Sequence, residues 1–322
     1  TAELKKPFDL KGNIVCCTVS VGVALHPSHG ADAESLIIAA DTAMYIAKQE
    51  SKDRLCFFNS LHLHALNNKF QISVHLRNAD YDSQFRMVYQ PKYNLRTKKI
   101  IGAEALLRWN SDELGVVSPA EFIPIAESTG EINAITRWCL KSVIKDTLRW
   151  KEKERLDIPL RIAINASPLD LRQASFVDMV LEAIYHDHLN PSWIEIEVTE
   201  TAIMADPEKA IKTLKRLRQH GVRISVDDFG TGYSSLNYLK MLPANYLKID
   251  RSFVKNIGID DSDEKIIKAI VQLAHSLDLE VIAEGIENKQ QLEYLDHLDC
   301  DYGQGYYFSK PVEKEEIPSF FR

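Results

Sequence analysis

From residue 86 onward the chain alternates eight short, mostly apolar runs with helical segments. The strand-like runs are 86–89, 100–107, 160–165, 194–199, 223–228, 246–249, 280–283 and 301–305. Eight strands interleaved with helices predict an α/β fold, a closed (β/α)8 TIM-like barrel. An open doubly wound sheet is the alternative, but its dinucleotide signature is missing: Gly230-Thr231-Gly232 has no third glycine in phase. The helices carry their own signals. Asp206-Pro207-Glu208 supplies an N-cap, a first-turn proline and a first-turn acid. Ile211, Leu214 and Leu217 then form a buried stripe, and Gly221 ends the helix.

The residues before this pattern read differently. Residues 14–24 read as a strand, 33–49 as a helix and 54–58 as a short strand. This β-α-β fragment, residues 1–58, is small for an independent core. Residues 59–79 read as a linker helix, with Leu63, Leu66, Phe70 and Val74 as an apolar stripe. The barrel takes 80–322. The chain opens on Thr1 in mid-pattern, which suggests a piece of a longer protein.

Composition excludes several classes. Lys and Arg number 39 against 46 Asp and Glu, a net charge of −7, which argues against binding a DNA or RNA duplex by charge. A small anionic ligand in a local site remains compatible. No long apolar run suggests a spanning helix, and no signal peptide opens the chain. The five cysteines, Cys16, Cys17, Cys56, Cys139 and Cys300, form no C-x-x-C pair. They read as reduced thiols packed as small apolar residues, consistent with a cytoplasmic location. His62, His64, His186 and His188 read as surface positions rather than metal ligands.

Polar residues fall at one end of the strands: Glu104, Asn165, Glu197 and Glu200, Asp227-Asp228, Lys248 and Asp250, Glu284 and Glu287, and Gln304. In a β/α barrel these C-terminal ends meet at one mouth, where chemistry sits. A single buried carboxylate is most simply a structural ion pair. Many carboxylates converging with one lysine would repel, and would bind protons or cations. Hard oxygen donors, an Asn carbonyl and no Cys or His point to Mg²⁺ or Mn²⁺. Asp227-Asp228 could bridge two such ions, the arrangement that clamps a phosphoryl group. Spacing alone therefore suggests metal-assisted phosphoester hydrolysis.

The segments Tyr89-Gln90-Pro91, Glu104-Ala105-Leu106-Leu107-Arg108-Trp109, Glu197-Val198-Thr199-Glu200, Asp227-Asp228-Phe229-Gly230-Thr231-Gly232, Leu247-Lys248-Ile249-Asp250, Ala283-Glu284-Gly285-Ile286-Glu287 and Gln304-Gly305-Tyr306 resemble the EAL family, the cyclic di-GMP phosphodiesterases of bacterial signalling. The resemblance implies a barrel whose first strand runs antiparallel. It implies cleavage of cyclic di-GMP to linear pGpG with Mg²⁺ or Mn²⁺, two ions per site, and inhibition by Ca²⁺. Carried over by motif, Glu104, Asn165, Glu197 and Asp227 resemble ligands of a first ion, with Asp227 and Asp228 serving a second. Glu284 corresponds to a general base or second-ion ligand. Lys248 would hold the attacking water or a phosphate oxygen, and Gln304 would orient water. Gln90, Arg108 and Asp250 match substrate-side positions. Glu200 would steady the loop containing Phe229, Gly230, Thr231 and Gly232, which couples a homodimer contact to the metal ligands. Departures are mild: Asn245 replaces a common Asp, and Lys92 follows Tyr-Gln-Pro where a neutral residue is frequent.

Residues 17–24 and 40–48 resemble the last third of a GGDEF (diguanylate cyclase) domain. The name-giving loop is not among these 322 residues, so this chain is not expected to synthesise cyclic di-GMP. The parent protein could be membrane-tethered through upstream domains. The competing readings are a catalytically silent cyclic di-GMP receptor and an interaction scaffold. Loss of catalysis in the family shows as substitution of ligands, base or loop, and none is evident.

Overall fold

The computed structural model describes residues 7–11, 13–15, 18–50, 55–154, 160–230 and 236–321. The chain divides into two compact units, Thr1–Leu76 and Arg77–Arg322.

In the first unit, Val21–Val23 pairs in parallel with Leu55–Phe57, and the helix Ala33–Glu50 connects them. Ala43, Ile46, Ala47 and Cys56 form its small core, with Phe58 and Leu66 packed against it. Gly22 is required here, since a Cβ would lie 1.9 Å from the Ala40 carbonyl oxygen on the crossing helix. The single strand expected over 14–24 is not formed. Asn13–Val15 instead pairs antiparallel with Phe8–Leu10, in a different sheet from Val21–Val23. Apolar alternation marks extended chain but does not say which partner it takes. Residues 16 and 17, with Cys16 and Cys17, lie outside the described residues. The helix expected over 59–79 is Ser60–Arg77. Its expected stripe is corrected: Leu63 and Phe70 are exposed, whereas Ile72 and Leu76 are buried.

In the second unit eight strands close into a barrel: β1 (Phe85–Asn94), β2 (Ile100–Ser111), β3 (Arg161–Asn165), β4 (Ile194–Thr199), β5 (Arg223–Phe229), β6 (Tyr246–Ile249), β7 (Glu280–Ala283) and β8 (Tyr302–Gly303). Strands β2 to β8 pair in parallel, in order. β1 runs antiparallel to both neighbours, β2 and β8, and closes the ring. A short strand, Val312–Glu313, adds to β1 outside the ring, and Gly115–Val117 extends β2 as a hairpin.

The helices follow the signals in the sequence. Helix α1 (Pro207–Gln219) is capped by the Asp206 carboxylate, which accepts from the Lys209 amide at 3.3 Å, and it buries Ala210, Ile211, Leu214 and Leu217. Helix α2 (Asp261–Ser276) starts at an Asp260 cap and buries Ile267, Ile270, Val271 and Ala274. Apolar residues thus cover the outside of the strands, and the alternate positions point into the barrel. Among the described residues, no helix is long and apolar enough to cross a membrane.

Candidate active site at the barrel mouth

Register determines which side chains meet. Gln90 lies across the ladder from Glu104, and Asn165 pairs with Glu197. Asp227, Lys248, Glu284 and Gln304 come from the ends of β5 to β8 or just beyond them. Glu104, Asp227, Glu284 and Gln304 line one cavity of about 490 Å³, whose walls also include Gln90, Arg108, Asp228 and Asp250; Glu197 and Lys248 are buried, and Asn165 lines a separate cavity beside Arg108.

Lys248 is the hub. Its fully buried ammonium lies 2.6 Å from Glu284 Oε1, 2.9 Å from Glu197 Oε2, 3.0 Å from Asp227 Oδ2 and 3.6 Å from Glu104 Oε2. Gln304 Nε2 donates to Glu104 Oε2 at 2.7 Å and to Glu284 Oε1 at 3.2 Å. Asn165 Nδ2 donates to Glu104 Oε1 at 3.0 Å. Below this layer Lys92 Nζ lies 2.6 Å from Glu197 Oε1 and 2.9 Å from Glu195 Oε1. Two ammonium groups therefore contact five carboxyl groups, Glu104, Glu195, Glu197, Asp227 and Glu284, and Asp228 adds a sixth carboxyl beside them.

This imbalance shows in the proton affinities. Burial disfavours the charged form of Lys248, but Asp227, Glu104, Glu197 and Glu284 overrule it and hold the amine well above its ordinary pKa. Burial pushes the Glu284 carboxyl well above the usual range, Lys248 opposes this, and Asp227 and Glu104 add to it. Asp228 is pushed up to about 6, first by burial and then by Asp227 and Asp250. Its φ of +54° places it in the left-handed region, and its amide donates to Asp227 Oδ1 at 2.8 Å.

The remaining expected residues take varied positions. Gln90 Nε2 donates to the Ser309 carbonyl at 3.2 Å, and Arg108 donates to the Leu107 carbonyl at 2.9 Å; both border the cavity. Asp250 caps a short helix, Arg251–Val254, by accepting from the Ser252 amide at 2.9 Å. Glu200 is buried, and its Oε2 accepts from the Gly230 amide at 3.1 Å. Gly230 has φ +96°, and a Cβ there would meet Phe253 at 3.1 Å and Ile270 of α2 at 3.2 Å. Phe229 is buried at the end of β5. Thr231 and Gly232, and the rest of 231–235, lie outside the described residues.

Two groups were given no role by the sequence reading, Tyr306 being named there only within the Gln304-Gly305-Tyr306 motif. Arg251 and Tyr306 line the cavity. Arg251 follows Asp250 directly, so its position beyond the β6 end was a usable signal. Tyr306 lies two residues beyond Gln304, and its place in that motif was the signal available for it.

The donor set suits a hard divalent cation. It offers carboxylate oxygens in excess of the ammonium groups, and Gln304 Oε1 is buried with no hydrogen-bond partner. Among the described residues, no three acidic, His or Cys side chains already form a metal-ligand group. The carboxylates close instead on Lys248.

Comparison with known proteins places this geometry. The EAL domain family model matches residues 72–311. The model for the diguanylate cyclase GGDEF domain matches residues 1–54. The chain is 38% identical over 315 residues to the bifunctional diguanylate cyclase/cyclic di-GMP phosphodiesterase MucR of Pseudomonas aeruginosa, covering 98% of this chain and 46% of MucR. It is 38% identical over 322 residues to the cyclic di-GMP phosphodiesterase NbdA of the same organism, covering 99% of this chain and 41% of NbdA. The chain thus spans less than half the length of these curated relatives. Among solved structures, the PaMucR phosphodiesterase in complex with c-di-GMP superposes with a TM-score of 0.73 at 40% identity, covering 77% of this chain and 99% of that one.

Proposed function

Since the chain belongs to the EAL domain family, we propose that its barrel hydrolyses cyclic di-GMP to linear pGpG at the carboxylate-lined mouth. The observation that carries this reading is the meeting of Glu104, Glu197, Asp227 and Glu284 on Lys248 beside a cavity bordered by Arg108 and Arg251. Water adds across one of the two phosphodiester links, one ester oxygen leaves as a hydroxyl, and the phosphate stays on the other nucleoside.

The fit of the donors supports divalent-metal dependence: Glu104, Asn165, Glu197 and Asp227 would hold one Mg²⁺ or Mn²⁺, and Asp227 and Asp228 would hold a second. Such ions would neutralise phosphoryl charge and lower the pKa of the attacking water. The chain's own groups do the rest. Arg108 and Arg251 match the anionic diester, since a guanidinium suits phosphate oxygens. Gln90 and Asp250 border the same space and contact the substrate. Glu284, with its raised proton affinity, accepts the proton of the attacking water or joins the second ion's ligands. Lys248 holds the developing negative charge, and Gln304 fixes the orientation of Glu284 and of water.

The Glu200 to Gly230 hydrogen bond supports a second element of the reading. It ties the segment just after Asp227-Asp228 to a buried carboxylate, and Gly230 packs close to α2. A homodimer contact near Phe229 and α2 would thereby act on two metal ligands through a few residues of backbone.

Release of pGpG from cyclic di-GMP by the purified chain with Mg²⁺ or Mn²⁺ tests the proposal. Tight binding without product would make the chain a receptor.

A further inference from the structure

Lys92 lies below the mouth and does not line its cavity, and among the described residues it is one of the largest fully buried side chains. It enters from β1, the antiparallel strand, where its partner across the ladder is Gly102 of β2. Gly102 is itself required by its other neighbour, since a Cβ there would lie 2.0 Å from the Arg161 carbonyl oxygen of β3. The Lys92 ammonium reaches β4 and contacts both inward carboxylates there: Glu195, 2% exposed, and Glu197, fully buried. These two acids are two residues apart on one face of one strand, roughly 7 Å along it. The shorter contact, 2.6 Å, is the one to Glu197.

Glu197 is consequently gripped at both oxygens. Lys92 holds Oε1 from below, and Lys248 holds Oε2 at 2.9 Å from the side of the mouth. Burying an ion pair of this kind adds little stability over a well-packed apolar pair, because desolvation cancels most of the attraction. A barrel layer that only needed filling would be served by aliphatic side chains. What the ammonium supplies and an aliphatic chain cannot is a fixed orientation for the Glu197 carboxylate.

We propose that Lys92, anchored by Glu195, is a positioning residue that fixes the Glu197 carboxylate for a divalent cation at the mouth. The inference rests on the reading of Glu197 as a metal ligand. Lys92 keeps Oε1 engaged, leaving Oε2 as the oxygen that exchanges between Lys248 and the cation. Partners behind a ligand commonly change metal affinity or activity by roughly 10- to 100-fold when removed.

The test measures Mn²⁺ binding by electron paramagnetic resonance, without nucleotide, on the whole chain. It compares the unaltered protein with Lys92→Met, Glu195→Gln and the double variant. Lys92→Met alone strands the buried Glu195 carboxylate, leaves Glu197 to Lys248, and is expected to melt at lower temperature. The double variant removes the stranded Glu195 charge together with the ammonium and should recover most of that loss. The expected result is a double variant that folds, binds Mn²⁺ about tenfold or more weakly, and loses kcat while KM for cyclic di-GMP stays within about twofold. Glu195→Gln, which leaves Lys92 on Glu197, should bind Mn²⁺ within about threefold of the unaltered protein. A folded double variant with unchanged Mn²⁺ affinity would overturn the proposal, and so would a double variant that fails to fold, since Lys92 would then be scaffold. If the unaltered protein binds Mn²⁺ but releases no pGpG, the functional reading fails while the Mn²⁺ comparison still decides the role of Lys92.

Discussion

A carboxylate removed from a crowd of carboxylates has two effects of opposite sign. Glu104→Ala takes away a hard ligand, but it also relieves repulsion around Lys248. We expect Glu104→Ala and Asp227→Ala each to lower turnover by a factor of about 10³ or more while circular dichroism shows a folded barrel at room temperature. Unfolding of either variant would make that residue structural. Glu284→Gln keeps the shape and loses the proton-accepting charge, so kcat should fall about 10²- to 10⁴-fold with substrate binding retained. Near-normal turnover would remove Glu284 from both of its candidate roles. Away from the mouth, burial raises the Cys139 and Cys300 thiols to about 12. Both should resist alkylation at neutral pH in the folded chain and react on denaturation, read by mass spectrometry. The mouth was legible residue by residue because an acid at the end of an apolar strand breaks its own pattern. Lys92 was noticed only as a departure from a motif. A lysine directly after Pro91 gives no local sign of being buried, and its partners lie 103 and 105 positions away.

At the level of elements, β4, β6 and β7 coincide with the runs read from the sequence: β6 and β7 as short, mostly apolar blocks, and β4 as Ile and Val alternating with inward Glu195 and Glu197. Val312–Glu313 was not legible: two residues carry no periodicity, and their pairing with β1 is set by the chain's return across the barrel. The segment after β5 carries the proposed link between a dimer contact and the metal ligands. Glu200→Ala deletes the acceptor of the Gly230 amide, so turnover and Mn²⁺ affinity should fall together as that segment loosens. Gly230→Ala should act in the same direction, because φ +96° is strained for alanine by about 1 kcal/mol or more and the new Cβ presses on Phe253. Unchanged metal affinity in both variants would detach this segment from the metal ligands.

On the scale of the whole chain, the first unit has its own small core and the barrel closes without it. Deleting residues 1–58 should therefore leave measurable activity, with lower solubility if a covered apolar surface is opened. A folded, soluble and inactive truncation would show that the first unit gates the barrel. The dimer reading is checked by sedimentation alongside activity over a dilution series: specific activity should rise with the dimer fraction, and a monomer fully active at every concentration would refute the coupling. The barrel itself was legible because alternation over eight strands leaves few ways to close. The central claim concerns the mouth of that barrel, and it is tested most directly by incubating the purified chain with cyclic di-GMP and resolving the products by chromatography. With Mg²⁺ or Mn²⁺ the account predicts stoichiometric conversion to pGpG, abolished by chelation and suppressed by Ca²⁺, whose looser coordination holds substrate without supporting attack. Cyclic di-GMP bound but recovered intact with either metal would contradict it.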